Sequence, residues 1–321
     1  MIREKQTMRF NAIHVYGLGT DIIKVFESAF PDREIRTING KAELAASIGE
    51  IEVIFVFRPP RGIWSGAKQL QLIQTIGAGV DSVLPAPDLP STVHITNARG
   101  VHGIQMSEYA LAMMLAFAKE LPRAIANQQE RHWQRTTPSS LEGKTCSILG
   151  MGTIGRAVAE RAKQFGMRVI GTQREPKTFN HADEVVAPEQ TEYALREADF
   201  IVVTLPLTPL TRNLLDETRL SQMKRETVLI NMARGGIIEE PALANMLREG
   251  HLRGAVLDAL VEEPLPESSD LWTTPNLIIT PHMAGGVPDY LDRVLAIFID
   301  NVRRFEEGET LINEVDRDRG Y

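Results

Sequence analysis

The stretch Gly150-Met151-Gly152-Thr153-Ile154-Gly155 decides the fold of this chain. An apolar run at 145–149 precedes it and predicts a buried β-strand, and the segment 156–165 after it predicts an α-helix. The first glycine permits a tight turn, the second lets a diphosphate approach the backbone, and the third lets helix and strand pack closely. This order therefore indicates a dinucleotide site, with the diphosphate at the helix N-terminus.

On both sides of this stretch, short apolar runs alternate with amphipathic segments, which is typical of parallel sheets with crossover helices. The predicted strands are 13–16, 53–56, 72–75, 146–149, 168–172, 200–204, 227–231, 254–257 and 277–279, and the first predicted helices are 21–30 and 41–48. We therefore expect an α/β protein with two doubly wound parallel-sheet domains. One comprises residues 1–100 plus 288–321, and the other comprises residues 101–287.

The segment 104–130 carries apolar side chains on nearly every side of its first half, which predicts a long buried helix. Because such a helix needs covering on more than one side, we expect a homodimer that forms through residues 104–140. The chain ends in an amphipathic helix with Pro288 near its first turn. The apolar residues expected on one face of that helix are Val294, Ile297, Phe298 and Val302.

Composition narrows the class of protein. The net charge of −7 argues against nucleic acid or an anionic membrane as the main partner. No apolar run approaches the roughly 18 residues of a membrane-spanning helix, and residues 1–10 lack the apolar segment of a signal peptide. The single cysteine, Cys146, cannot form an internal disulfide, which favours a cytoplasmic location. The histidines have no metal-ligand spacing, so we expect no metal site.

The choice between the two nicotinamide dinucleotides depends on the end of the predicted strand 168–172. A site for NAD normally offers an acidic residue there, which binds the ribose 2′-hydroxyl. Gln173 holds that position in this chain, and Arg174 follows with a guanidinium that can pair with a 2′-phosphate. We therefore expect NADP to be preferred, with NAD as a second cofactor because Glu175 competes for Arg174. The alternative is that Arg174 is only a solvated surface residue.

Three polar residues, Arg234, Glu263 and His282, each follow an apolar run late in the chain. An arginine, a carboxylate and a histidine brought together suit the reduction of a 2-keto acid. The cation holds the substrate carboxylate, the imidazole donates a proton to the carbonyl, and the acid orients the imidazole and favours its protonated form. Spacing along the sequence does not show that the three side chains meet.

Several segments together resemble the D-isomer-specific 2-hydroxyacid dehydrogenases and occur in that family's order. They are Gly77-Ala78-Gly79-Val80-Asp81, the glycine-rich stretch 150–155, Leu205-Pro206-Leu207-Thr208-Pro209-Leu210-Thr211, Asn231-Met232-Ala233-Arg234-Gly235-Gly236, Leu257-Asp258 with Glu263-Pro264-Leu265-Pro266, and Thr280-Pro281-His282. The early Arg58-Pro59-Pro60 and the final residues 315–321 resemble most the glyoxylate/hydroxypyruvate reductase branch.

The resemblance implies a Rossmann cofactor domain inserted into a flavodoxin-like substrate domain, and a role for each matching residue. The implied catalytic residues are Arg234, Glu263 and His282. The implied substrate-binding residues are Ala78, Gly79, Arg234 and His282. The implied cofactor-binding residues are Gly150, Gly152, Thr153, Ile154, Gly155, Gln173, Arg174, Leu205, Pro206, Thr211, Met232, Ala233, Arg234, Asp258, His282 and Gly285, of which Asp258 would receive the nicotinamide amide.

We therefore expect an NAD(P)-dependent reductase that converts a small 2-keto acid, such as glyoxylate or hydroxypyruvate, to the D-2-hydroxy acid. Two alternatives stay open. A formate dehydrogenase of the same family is disfavoured, because that branch looks to use an amide side chain at the position where this sequence has Glu263. The other alternative is a nucleotide-sensing regulator, since the family's transcriptional corepressors also look to carry all three residues that match Arg234, Glu263 and His282. Arg58 and Arg61 either recognise a second substrate carboxylate or are solvated loop charges.

Overall fold

The computed structural model describes residues 10–18 and 22–321, so the predictions about residues 1–9 and Asp21 lie outside it. The chain divides into two compact units, Met1–Val101 with Pro288–Tyr321, and His102–Val287. We call these the first and second units. Their predicted roles, in binding the substrate and the cofactor, stay predictions.

The elements alternate along the chain as expected for α/β folding. The strands are β1 Ala12–Tyr16, β2 Glu34–Ile38, β3 Val53–Val56, β4 Leu72–Thr75, β5 His94–Thr96, β6 Thr145–Leu149, β7 Arg168–Thr172, β8 Glu184–Val186, β9 Phe200–Val203, β10 Val228–Asn231, β11 Gly254–Leu257 and β12 Leu277–Ile279. The α-helices are α1 Ile23–Ala29, α2 Lys41–Ser47, α3 Gly103–Ala118, α4 Leu121–Gln129, α5 Thr153–Gln164, α6 Thr191–Glu197, α7 Glu217–Ser221, α8 Glu240–Arg248 and α9 Tyr290–Glu307.

Each unit contains one twisted sheet of parallel strands, which confirms the predicted fold class. The first unit has the order β2-β1-β3-β4-β5, and the second has β12-β11-β10-β9-β6-β7-β8. Central strands such as β3 and β9 are buried on both faces, which explains their continuous apolar sequence. Strands β2, β5 and β8 were not predicted. All three lie at the edge of a sheet, and β2 and β8 have exposed or half-buried polar residues, so neither has a clear run of apolar residues.

The single helix predicted over 104–130 is wrong, because the structure has α3 and α4 with a break at Glu120, which has a left-handed φ of 55°. Pro122 explains the break: it has no N–H to donate to the carbonyl of Ala118, and its ring would clash with that carbonyl in a continuous helix. Ser139 donates its N–H to the Ala118 oxygen instead, at 2.9 Å. Helix α3 buries one face, whereas Ile104 is 56% exposed.

The C-terminal helix α9 belongs to the first unit because it completes the core of that unit. Val294, Phe298 and Val302 are fully buried, and the Phe298 ring lies 5.2 Å from that of Phe55 in β3. Ile297, predicted on the same face, is only partly buried. Among the described residues, no helix is long and apolar enough to cross a membrane.

Candidate active site

The predicted cofactor residues and the predicted triad follow strands of the sheet in the second unit. After β6 the chain forms β7 and β8, which lie on one side of β6 in the strand order. It then forms β9 to β12, which lie on the other side of β6. The strand order therefore reverses between β6 and β9. In open α/β sheets, ligands bind beside such a point, outside the carboxyl ends of the strands.

The glycine-rich loop 150–155 connects β6 to α5 in one fixed shape. Gly150 has a φ of 108°, a conformation that favours glycine. Its N–H donates to the Thr172 hydroxyl oxygen at 3.1 Å, and its carbonyl accepts from the Thr204 hydroxyl at 2.6 Å. A Cβ added to Gly155 would lie 2.1 Å from the Gly150 oxygen, so only glycine permits this packing.

The same loop fits the diphosphate of a dinucleotide. Gly152 precedes the first turn of α5, and no side chain caps that turn. A Cβ added to Gly152 would meet nothing within 4 Å, so there is space beside the backbone. The N–H groups of the first helical residues, Thr153 and Ile154, have no acceptor within the helix and are suited to an anion.

Two further predicted cofactor segments flank this loop. After β7, Gln173 is half-buried and donates its N–H to the Val186 oxygen at 2.9 Å, whereas Arg174 is exposed. After β9, Thr211 donates its hydroxyl to the Pro206 oxygen at 2.6 Å, which holds the loop 205–211 closed on itself. The N atom of Leu205 lies 3.2 Å from where a Gly150 side chain would begin, so this loop lies against the glycine-rich loop.

Arg234 lies in a turn after β10 that Asn231 stabilises. The Asn231 amide donates to the Arg234 oxygen at 2.9 Å and accepts from the Ala233 N–H at 3.1 Å. Met232 and Ala233 are buried. A Cβ added to Gly235 would lie 2.0 Å from the backbone of Leu260, so the turn with Arg234 packs directly against the loop that leads to Glu263.

Glu263 and His282 are in contact. The Nδ1 atom of His282 lies 3.0 Å from both carboxylate oxygens of Glu263. The Leu260 N–H donates to the Glu263 Oε1 at 3.0 Å, which fixes the carboxylate. With Nδ1 facing Glu263, Nε2 is the nitrogen left for a substrate. The His282 side chain is 42% exposed, so it is accessible to one.

Asp258 organises the loop that carries His282. It is 2% exposed, and its carboxylate accepts from the Thr280 hydroxyl at 2.6 Å and from the N–H groups of Met283 and Ala284 at 2.8 and 2.9 Å. Its carbonyl accepts from the His282 N–H at 2.9 Å. The predicted contact between Asp258 and the nicotinamide amide stays a prediction, while the bonds within the protein give Asp258 a structural task that the sequence did not indicate.

His102, one of the histidines without metal-ligand spacing, lies beside Gly285 and near Arg234. A Cβ on Gly285 would be 2.8 Å from the His102 ring, so a larger residue there would displace the ring. Burial, and secondarily the charge of Arg234, lower the pKa of His102 to about 4. A neutral imidazole near Arg234 is therefore favoured at neutral pH. No sequence pattern pointed to it, because a single histidine before an apolar helix carries no spacing signal.

The remaining predicted residues lie in the first unit. The Ala78 carbonyl, after β4, accepts from the Asn97 amide at 2.8 Å, and Gly79 follows it in the same loop. Arg58 lies 5.4 Å from the ring of Phe57, and Arg61 donates to the Asp81 carbonyl at 3.5 Å. Roles for these residues in substrate binding stay predictions.

Known proteins match the chain closely. Residues 111–284 match the family described as D-isomer specific 2-hydroxyacid dehydrogenase, NAD binding domain. The chain is 33% identical to glyoxylate/hydroxypyruvate reductase A of Photorhabdus laumondii over 83% of its own length and 86% of the relative's. It is 32% identical to D-3-phosphoglycerate dehydrogenase of Methanocaldococcus jannaschii over 93% of its own length, but it spans only 58% of that protein.

Solved structures that resemble the chain belong to the same family. A D-isomer specific 2-hydroxyacid dehydrogenase from Xanthobacter autotrophicus in complex with NADPH matches with a TM-score of 0.87 and 31% identity, over 97% of this chain and 99% of that one. An NADPH-dependent glyoxylate/hydroxypyruvate reductase from Sinorhizobium meliloti, in complex with NADP and sulfate, matches with a TM-score of 0.87 and 28% identity, over 97% and 100%. The chain therefore belongs to the D-isomer-specific 2-hydroxyacid dehydrogenases, a family of NAD(P)-dependent oxidoreductases.

Proposed function

We propose that the protein reduces a small 2-keto acid of the glyoxylate or hydroxypyruvate type to the D-2-hydroxy acid, with NADPH preferred over NADH. The contact between His282 and Glu263 carries this proposal, because a histidine held through Nδ1 by a carboxylate is suited to deliver a proton from Nε2. The curated reductases that resemble the chain over most of their length support the substrate class.

The residues divide the chemistry between them. The reduced nicotinamide, when bound, supplies the hydride that forms the new C–H bond at the carbonyl carbon. Arg234 pairs with the substrate carboxylate and polarises the carbonyl. His282 gives its proton to the carbonyl oxygen as the C=O double bond becomes a C–O–H group, and Glu263 stabilises the protonated imidazole before that transfer. The proton is then replaced from solvent.

The proposed preference for NADPH rests on the end of β7. Gln173 offers no negative charge to a 2′-phosphate, and the exposed guanidinium of Arg174 can approach one from solvent. Two structurally similar proteins were solved with NADPH or NADP, which supports the assignment.

We also propose that the protein is a cytoplasmic homodimer. Large apolar side chains stand exposed around α4: Leu121 is 48%, Ile125 57% and Trp133 94% exposed. A second copy that covers residues 104–140 would remove this apolar surface from water. The cytoplasmic location rests on the single cysteine of the sequence, Cys146, which lies buried in β6 and cannot form a disulfide within the chain.

A substrate screen tests the proposal. The purified protein is mixed with NADPH or NADH and, in separate reactions, with glyoxylate, hydroxypyruvate, pyruvate or a bulky aromatic 2-keto acid, and loss of nicotinamide absorbance is followed. D-3-phosphoglycerate with NAD⁺ and formate with NAD⁺ are run in the oxidative direction. We expect the highest kcat/KM with glyoxylate or hydroxypyruvate. Turnover of formate, or cofactor binding without turnover of any acid, would overturn the proposal.

A further inference from the structure

A chain of hydrogen bonds links helix α3 to the loop that carries His282. The Tyr109 hydroxyl, on α3, lies 2.6 Å from the Thr280 hydroxyl oxygen, and the Thr280 hydroxyl lies 2.6 Å from the Asp258 Oδ1. The same carboxylate binds the N–H groups of Met283 and Ala284. This series of hydrogen bonds therefore begins on helix α3, passes through the buried carboxylate of Asp258, and ends on residues on both sides of His282.

The direction of the bonds follows from what each group can donate. An ionised carboxylate only accepts, so the Thr280 hydroxyl gives its hydrogen to Asp258. The Thr280 oxygen is then an acceptor, and Tyr109 is the donor. Burial raises the pKa of Tyr109 to about 12, so the phenol keeps the proton that this bond needs. A charge-assisted bond to Asp258 polarises the neighbouring bond and strengthens the whole chain.

The loop needs such support because His282 has an unusual backbone. Its φ is 52°, in the left-handed region that a residue with a Cβ adopts only at a cost. The hydrogen bonds around His282 must stabilise this conformation, in which the imidazole contacts Glu263. Asp258, directly after β11, supplies the bonds to this loop. Tyr109 supplies the link from a different element.

We propose that Tyr109 is a positioning residue for His282, acting through Thr280 and Asp258 to hold the imidazole in the orientation that proton transfer requires. This inference rests on the proposed function. A purely structural role is the competing account, because the Tyr109 ring also packs against the core that α3 shares with α5. Replacing tyrosine by phenylalanine separates the two, since the ring stays and only the hydroxyl is lost.

The first experiment compares kcat and KM for 2-keto acid reduction in the native protein and in Tyr109→Phe. Loss of one hydrogen bond predicts about a 2- to 10-fold fall in kcat, with little change in the KM for NADPH. Tyr193→Phe is the matched control, because it removes a phenol on α6 that binds Arg168 on β7 and Glu184 on β8. That control should stay within about 2-fold of the native kcat. Unchanged kcat in Tyr109→Phe would overturn the inference.

A double-mutant cycle shows whether the effect passes through His282. In a His282→Ala background, Tyr109→Phe should lower the residual rate no further, because the group it positions is gone. An equal fall in both backgrounds would mean that Tyr109 acts through general stability, and would also overturn the inference. Thr280→Val interrupts the same chain, so combining it with Tyr109→Phe should add nothing to the effect of Thr280→Val alone.

A readout without turnover separates this inference from the proposed function. In protein labelled with ¹⁵N-histidine, the His282 ring signals are those missing from His282→Ala. Tyr109→Phe should shift these signals and leave those of His94, in the first unit, unchanged. If the native protein reduces no 2-keto acid but the signals shift, the proposed function fails while the positioning role stands. If the signals do not move, the positioning role fails whatever the activity.

Discussion

The Nδ1 atom of His282 faces both carboxylate oxygens of Glu263 at 3.0 Å, although the two residues follow different strands. Their contact arises because β11 and β12 are neighbouring parallel strands, so the loops after them leave the same edge of the sheet. Strand β10 is the next neighbour, and the turn with Arg234 follows it. This geometry suits a proton donor, its orienting acid and a cation for a carboxylate.

Removal of the imidazole tests the proton donor. We expect His282→Ala to lower kcat by roughly 100-fold or more, since general acid catalysis contributes about that factor, while the Kd for NADPH changes little. Steady-state kinetics and fluorescence titration measure the two quantities. The exposed His132 supplies the control: His132→Ala should behave like the native protein. Turnover near the native value in His282→Ala would contradict the assigned role.

Removal of the charge beside the imidazole tests Glu263. Glutamine keeps the shape of the side chain but loses the negative charge, so the protonated imidazole loses its stabilising partner. Bonds to charged groups are worth about 1.5–3 kcal/mol, which predicts a fall in kcat of roughly 10- to 150-fold. Glu262, the exposed neighbour, provides the matched variant Glu262→Gln, which should keep its activity. Equal effects of the two substitutions would rule out a special role for Glu263.

The cofactor preference can be tested at Arg174. A charge-assisted bond to the 2′-phosphate is worth about 1.5–3 kcal/mol, so Arg174→Ala should lower kcat/KM for NADPH by roughly 10- to 150-fold and leave that for NADH nearly unchanged. Arg196→Ala removes an exposed arginine on α6 and serves as the control. The assignment fails if the native protein favours NADH, or if Arg174→Ala leaves the constant for NADPH unaltered.

His102 predicts how stability depends on pH. Its pKa is about 4 in the fold and near the ordinary value of 6.5 in the unfolded chain, so between these values only the unfolded chain binds the proton. The free energy of unfolding therefore falls as the pH falls through this window, by about 2 kcal/mol between pH 7.5 and pH 5 for this group. Below about pH 4 both states are protonated and no further loss follows.

Urea unfolding at pH 7.5 and pH 5 measures this effect. His102→Gln should lose about 2 kcal/mol less than the native protein on acidification, because the other titrating groups are common to both. His132→Gln, at an exposed position, should lose as much as the native protein. An identical pH dependence in all three proteins would show that burial of His102 contributes nothing.

The proposed dimer predicts a mass in solution of twice the 35.7 kDa of the chain. Ile125→Asp places a charge in the exposed apolar surface around α4, so it should shift the mass toward that of one chain. Leu210 is 81% exposed but lies outside residues 104–140, and Leu210→Asp should leave the mass unchanged. Light scattering decides between these outcomes, and a native protein that is monomeric at micromolar concentration would refute the dimer.

The sequence predicted much of the second unit because its central strands are buried on both faces. Continuous apolar runs such as Val228–Asn231 stand out, and the polar residues after them are then expected at one edge of the sheet. Edge strands gave no such signal; β2 alternates exposed and half-buried residues. The break at Glu120 was missed because apolar periodicity continues through it, although Pro122 marked the place.

The predicted site residues lie where strand order places them, whereas the bonds that hold them came only from the structure. The link between Tyr109 and Thr280 joins residues 171 positions apart, and a tyrosine in an apolar helix predicts burial only. In the same way, Asp258 was assigned a cofactor contact by resemblance, and no pattern indicated that its carboxylate binds three groups of the His282 loop. Such contacts depend on tertiary packing.

The most direct test of the account is the reaction of hydroxypyruvate with NADPH, followed by chiral separation of the product. We predict that the native protein forms D-glycerate in a one-to-one ratio with the NADPH consumed, and that His282→Ala, at equal protein concentration and with NADPH bound, forms it at a rate at least about 100-fold lower. Formation of the L isomer, or binding of NADPH with no product from hydroxypyruvate or glyoxylate, would contradict the account.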